Sequence, residues 1–320
     1  MFEPIEKFAQ QFDWQPKMNN RKYYKTAKKF IVLGMGGSHL AADILTHQSN
    51  INILVHHNYG LPLLDDKSLK ESMIIASSYS GNTEEVIDGL KLALAKKLNI
   101  VVLATGGKLI KLAKLHNLPY VQMPDIGIQP RMGLGFQTKA LLKLMNANKE
   151  LKEITNLANT LKPKKYKSQA KSLAKKLKHT VPVIYSSQRN WTLAYNWKIK
   201  FNETGKVPAF YNTLPELNHN EMNGFDVVNT TEKLSKNFHF IFLTDPVDHK
   251  RIKIRMDVLK KLYKKRKLPV TTIELKGKND WHKTFANLIL ADWLCFHLAI
   301  NYGLEPEPVP MVEEFKKLMI

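Results

Sequence analysis

The amino-acid sequence predicts an α/β fold of two doubly wound domains, each a mostly parallel sheet flanked by helices. Three observations carry that expectation. Short apolar runs at 30–33, 73–76 and 100–104 alternate with segments of helical period, as strands buried on both faces of a parallel sheet do. The alternation continues through the second half, where 181–187 repeats the strand-then-hydroxyl order of 73–80. A length of 320 residues suits two domains, and 44% hydrophobic residues can fill two cores. The expected domains are 1–155 and 156–320, joined within a lysine-rich helical stretch, 148–180, that Pro163 interrupts.

Residues 1–28 read as a helical lead-in whose Phe8, Phe12 and Trp14 pack on a core. Strands follow at 30–33, 51–55, 73–76, 100–104 and 120–123. Helices are expected at 39–47, 84–98, 108–115 and through about residue 147. In the second half the strands are 181–187, 238–244 and 269–274. The helices there are 190–202, 249–264 and 281–302, the last closed by Gly303.

Composition narrows the function classes. No apolar run reads as long enough to cross a bilayer, and the first residues lack a basic-then-apolar leader pattern. The single cysteine, Cys295, lies in an apolar setting and reads as a buried structural thiol in a reducing compartment. A cytoplasmic protein without membrane association is expected. The net charge of +21 comes mostly from lysine, dense at 162–178 and 260–267. Nucleic-acid readers favour arginine at base edges and carry recognisable motifs, none of which occurs here. The charge therefore reads as a solvated lysine surface that steers anionic substrates. His56 and His57 are adjacent and His282 stands alone, so no metal site is expected.

The stretch 76–86 links a buried strand to a helix through Ser78, Ser80, Gly81 and Thr83. Free backbone N–H groups and the helix dipole meet at such a turn, which suits a phosphate. Asn82 and Glu85 have the spacing of a capping box. A second turn, 34–38, carries Gly34, Gly36, Gly37 and Ser38. Its third fingerprint position falls on His39, which disfavours a dinucleotide and favours a sugar or phosphate contact. Both turns are expected at strand carboxyl ends, the ligand address of doubly wound sheets. Arg131 follows a proline beside two glycines and reads either as a surface residue or as a cation for substrate oxygens. Glu203 ends an apolar helix, where a carboxylate opposes the dipole and so hints at another purpose. His219 stands among amides and carboxyls suited to fixing its tautomer.

These motifs occur in one order: Gly34-x-Gly-Gly-Ser38, Ser78-x-Ser-Gly-Asn-Thr83, Gln129-Pro-Arg131, Asn202-Glu203, Glu216-Leu-Asn-His219-Asn and Val312-Glu-Glu-Phe-Lys316. Together they resemble the bifunctional phosphoglucose/phosphomannose isomerases, which are built from two sugar-isomerase (SIS) domains. The resemblance implies a metal-independent aldose–ketose isomerase, needing no cofactor, acting on hexose 6-phosphates. Ser78, Ser80 and Thr83, with Gly36, Gly37 and Ser38, would hold the phosphate. Arg131 would stabilise the enediolate, and Glu203 would carry the proton between C1 and C2. His219 would open the sugar ring from the neighbouring subunit of a homodimer. Lys316 in a tail helix would complete the site, with Lys317 adjacent as its alternative.

A non-catalytic SIS-domain sensor of sugar phosphates is the runner-up. Such sensors usually carry a helix-turn-helix segment, for which the first 28 residues are too short. The isomerase half of a glucosamine-6-phosphate synthase would accompany a cysteine nucleophile, and Cys295 does not read as one.

Overall fold

The computed structural model describes residues 1–319. The chain divides into two compact units, 7–161 and 162–320, with residues 1–6 joined to the latter. The division falls at 161/162, six residues beyond the expected 155/156.

In the unit 7–161 a six-stranded sheet runs in the order β1-β6-β5-β4-β2-β3. Its strands are β1 (Met18–Asn19), β2 (Lys29–Leu33), β3 (Asn52–His56), β4 (Ser72–Ser77), β5 (Asn99–Ala104) and β6 (Tyr120–Gln122). All pairings are parallel except that of the edge strand β1 with β6. The chain opens with α1 (Phe2–Glu6); the helices of this unit are α2 (Leu40–Gln48), α3 (Asp66–Glu71), α4 (Glu84–Ala95), α5 (Gly107–Leu115), α6 (Leu134–Leu144), α7 (Asn148–Thr155) and α8 (Leu157–Thr160).

Alternate strand residues divide between the two faces of the sheet. Ile31, Leu33, Ile74, Ala76, Ile100 and Val102 pack with Val86, Leu90 and Ala93 of α4 and with Leu109, Ile110 and Ala113 of α5. Phe30, Val32, Met73, Ile75, Val101 and Leu103 are buried as well, so both faces of the central strands are covered. That double burial explains why these strands read as unbroken apolar runs.

The unit 162–320 holds a four-stranded parallel sheet in the order β10-β9-β7-β8. Its strands are β7 (Val181–Ser187), β8 (Phe210–Leu214), β9 (Phe238–Thr244) and β10 (Val270–Glu274). Its helices are α9 (Lys167–Leu177), α10 (Trp191–Glu203), α11 (Glu232–Ser235), α12 (Lys250–Lys265), α13 (Asp280–Asn301) and α14 (Pro310–Leu318). Val183, Tyr185, Phe240 and Phe242 pack against Met256, Leu259 and Tyr263 of α12.

Four expectations change. The lead-in is not a continuous helix: α1 is followed by a 3-10 turn (Phe8–Phe12), the strand β1 and a second 3-10 turn (Arg21–Tyr23). Phe8 and Phe12 are nonetheless buried, as their apolar spacing implied. β8 was not read as a strand, because its exposed and half-buried edge positions break the apolar run. The Asn82–Glu85 capping box does not form; Thr83 is the residue before α4, and the Asn82 side chain accepts from Lys108 N–H at 3.0 Å. Finally, α13 is long and apolar enough to cross a membrane by length and composition. Most of it is buried in the unit, and Lys200 on α10 pairs with its Asp292 at 2.5 Å. Those buried charges belong to a core helix rather than to a lipid-facing one.

Candidate active site

In the unit 7–161, β2 and β4 lie side by side, and the chain leaves them towards opposite edges of the sheet, to β3 and β5. A crevice opens outside the carboxyl ends of strands where the order reverses in this way. The glycine turn follows β2 at this switch point, and the hydroxyl loop follows β4. Their common address was legible from the strand order. Their joinery was not.

Ser38 stitches the two turns together. Its Oγ accepts from Tyr79 N–H at 2.8 Å, and its carbonyl accepts from the Ser77 hydroxyl at 3.1 Å. Since Ser38 Oγ is used there as an acceptor, its own O–H is left to donate towards a ligand. The loop beyond is held from within: Ser78 Oγ lies 2.7 Å from Thr83 Oγ1 and accepts from Gly81 N–H at 3.1 Å. Ser78 is buried, Thr83 half-buried and Ser80 exposed, so the hydroxyls step outward from the sheet. Gly81 has φ +73°, and a Cβ there would lie 1.9 Å from the Gly106 carbonyl. Only glycine lets the hydroxyl loop pass the next strand-end turn so closely. Glu84 and Glu85 open α4.

Arg131 joins the same place. It sits in the 3-10 turn Pro130–Met132 and is 1% exposed. Two glutamines fix that turn: Gln11 Nε2 donates to the Met132 carbonyl at 2.7 Å, and Gln137 Nε2 to the Pro130 carbonyl at 2.8 Å. The turn rests on Gly37, where a Cβ would lie 2.7 Å from Arg131 N and 2.8 Å from Pro130 Cβ. The fold therefore brings Gly36, Gly37, Ser38, Ser78, Ser80, Thr83 and Arg131 to one crevice. The hydroxyl loop, the N-terminus of α4 and the turn that carries the buried Arg131 thus lie together at the carboxyl ends of β2 and β4. Gly37→Ala is expected to raise the KM for a sugar phosphate on the order of tenfold, because the added methyl pushes Arg131 off its position. Steady-state kinetics and a thermal melt would check it; an unchanged KM would remove the close approach from the argument.

Tyr79 stands in the middle of the hydroxyl loop. Its ring lies where a Gly133 Cβ would be, 2.7 Å away, and burial lifts its phenol to about 12. It wedges the hydroxyl loop against the arginine turn.

The unit 162–320 carries the other three candidates. Helix α10 leaves the carboxyl end of β7 and returns alongside it, so Glu203 arrives beside the amino end of β8. His219 follows the carboxyl end of β8, in the turn after Leu214. A five-residue strand separates them, about 15 Å at the usual rise per residue. Within this unit Glu203 and His219 therefore stand at opposite ends of the sheet. Glu203 is half-buried, whereas His219 is exposed, and among the described residues no hydrogen bond to its ring occurs. The neighbours expected to fix its tautomer bond elsewhere: Asn220 Nδ2 to Glu216 at 2.7 Å, and Asn218 Oδ1 to Arg255 at 3.4 Å.

Lys316 is exposed on α14, paired with Glu313 at 2.9 Å. Lys206 ties α14 to Glu203: its Nζ donates to the Glu203 carbonyl at 2.6 Å and to the carbonyl of Pro308, just ahead of α14. The switch point of this second sheet, between β7 and β9, is filled by the protein itself. There Asp245 accepts from Asn190 Nδ2 at 3.2 Å and from Lys283 Nζ at 2.8 Å. The serine echo at Ser186 and Ser187 thus faces carboxylates, which repel a phosphate.

The chain is 31% identical to the bifunctional phosphoglucose/phosphomannose isomerase of Aquifex aeolicus, over 99% of this chain and 97% of that one. The chain belongs to that family. The isomerase of the same name from Caldicellulosiruptor bescii is 32% identical over 90% of this chain and 88% of its own. Residues 166–319 match the family described as bacterial phospho-glucose isomerase C-terminal SIS domain. The fold is also that of glucosamine-6-phosphate deaminase from Thermotoga maritima, with a TM-score of 0.68, 15% identity and coverage of 96% and 97%. Membership makes the chain an enzyme of the isomerase class with the SIS fold, as its motifs implied.

Proposed function

We propose that the protein is a metal-independent aldose–ketose isomerase interconverting fructose 6-phosphate with glucose 6-phosphate and mannose 6-phosphate. The observation that carries this reading is the switch-point crevice where Ser38, the 78–83 loop and Arg131 converge, in a chain of this isomerase family. Ser78, Ser80 and Thr83, with Gly36, Gly37 and Ser38, hold the phosphate. His219 moves a proton between the ring oxygen and the anomeric hydroxyl to open the sugar. Glu203 takes the C2 proton of the aldose and returns it at C1, and Arg131 stabilises the enediolate oxygen charge between the two steps. Lys316, on the helix that Lys206 tethers to Glu203, supplies a further cation.

The working form in this reading is a homodimer in which His219 serves the partner's site. The separation of Glu203 and His219 along β8 favours this, as does the exposure of the imidazole. The buried Cys295 thiol agrees with a cytoplasmic setting.

The test incubates purified protein with fructose 6-phosphate in excess chelator and follows both aldoses. Glucose and mannose 6-phosphates forming together is the expected result. Glucose 6-phosphate alone would confine the enzyme to one C2 epimer. Binding without either product would replace the isomerase by a sensor.

A further inference from the structure

Glu221 lies two residues past His219 and has no part in the reaction above. Its carboxylate accepts from the Tyr185 hydroxyl and from Asn212 Nδ2, each at 2.5 Å. Tyr185 is on β7, fully buried, and its phenol also lies 3.3 Å from that of Tyr263 on α12. Asn212 is on β8. Burial pushes the Tyr185 phenol well above its ordinary pKa, with Tyr263 and Glu221 adding to the effect, so it remains a proton donor. Both partners donate, one to each carboxylate oxygen. Only an ionised carboxylate offers two acceptors in that shape, because an amide would present an NH2 group to one of the donors.

This polar anchor stands beside apolar ones: Leu217 and Met222 pack on the core, and Phe225 lies against Phe240 of β9 at 4.8 Å, so Glu221 is what ties the stretch next to His219 to β7 and β8 by hydrogen bonds. Leu217 is the buried side chain of that stretch, while Glu216, His219 and Asn220 are exposed. Further along, Arg266 grips Asp226 through its side chain and its carbonyl, the latter at 3.0 Å. An exposed histidine that must reach a substrate needs its backbone fixed, since an error near 1 Å is costly in rate.

We propose that Glu221 is a positioning residue for His219, locking the 216–223 turn to β7 and β8 so that the imidazole is presented at a fixed place and angle. The inference rests on the proposed role of His219. It also explains why a carboxylate is drawn into a cluster of aromatic rings, where an apolar residue would pack without the desolvation cost.

A double-mutant cycle tests it. Glu221→Gln is expected to lower kcat about tenfold, with affinity for an acyclic aldonic-acid phosphate unchanged, since that ligand needs no ring opening. In a His219→Ala background the same substitution is expected to cost less than about twofold, because it acts through the imidazole. Tyr185→Phe removes one donor, keeps the packing and should give a smaller loss that also vanishes without His219; it carries the test if Glu221→Gln folds poorly. An equal loss with and without His219 would overturn the proposal and leave Glu221 a structural anchor. A fully active His219→Ala would be a different failure, overturning the ring-opening role together with the proposal built on it.

Discussion

Glu203→Gln is expected to bind fructose 6-phosphate with affinity close to that of the parent while kcat falls about 10³-fold, within the range that a positioned general base contributes. The substitution keeps the shape of a side chain that is half-buried at the end of α10. It also keeps the Lys206 tether, which is made to the Glu203 backbone carbonyl and not to the carboxylate. The proposed phosphate-binding residues belong to the other unit and keep their own hydrogen bonds. What disappears is the carboxylate's charge and basicity, and with them the oxygen that in this reading takes a proton from C2 and returns it at C1. Isothermal titration and initial rates measure the two effects separately. Appreciable turnover in the variant would move the base elsewhere, and lost affinity would make Glu203 a binding residue.

The same separation explains how much of the site could be read before the fold. The crevice at the carboxyl ends of β2 and β4 was legible because its parts are local. Each is a strand end followed by glycine or hydroxyl residues, and the apolar runs of β2 and β4 gave the strands away. The contacts that hold the crevice together join residues far apart in sequence: Ser38 to Tyr79, Gln11 to Met132, Gly37 to Arg131. No periodicity encodes such meetings. β8 went unread for a related reason. As an edge strand it buries only Thr213 and Leu214, so Phe210, Tyr211 and Asn212 follow no strand period. Missing β8 also concealed the placement of Glu203 and His219, since it is this strand that separates them. The capping box failed because the Asn82 amide found a better use at the start of α5 than at the start of its own helix.

Mixing two inactive variants is expected to restore activity. If His219 serves the partner's site, a dimer of one His219→Ala chain and one Glu203→Gln chain contains one site with both groups intact and one with neither. Random exchange of equal amounts makes half of the dimers mixed, so about a quarter of the parent activity should return. If Glu203 and His219 of one chain worked together, every site in the mixture would lack one of them and nothing would return. The geometry favours the first outcome. Bringing the two groups together within one chain would require crossing the length of β8, whose pairing with β7 runs from Val183↔Phe210 to Ser187↔Leu214. Breaking that ladder would strand buried backbone donors and acceptors at roughly 1–3 kcal/mol each, whereas a second copy delivers His219 with the sheet intact. Activity measured after co-refolding, with a mass measurement to count the subunits, distinguishes the two. A return near a quarter, absent from either variant alone, is the signature of a histidine donated across the interface.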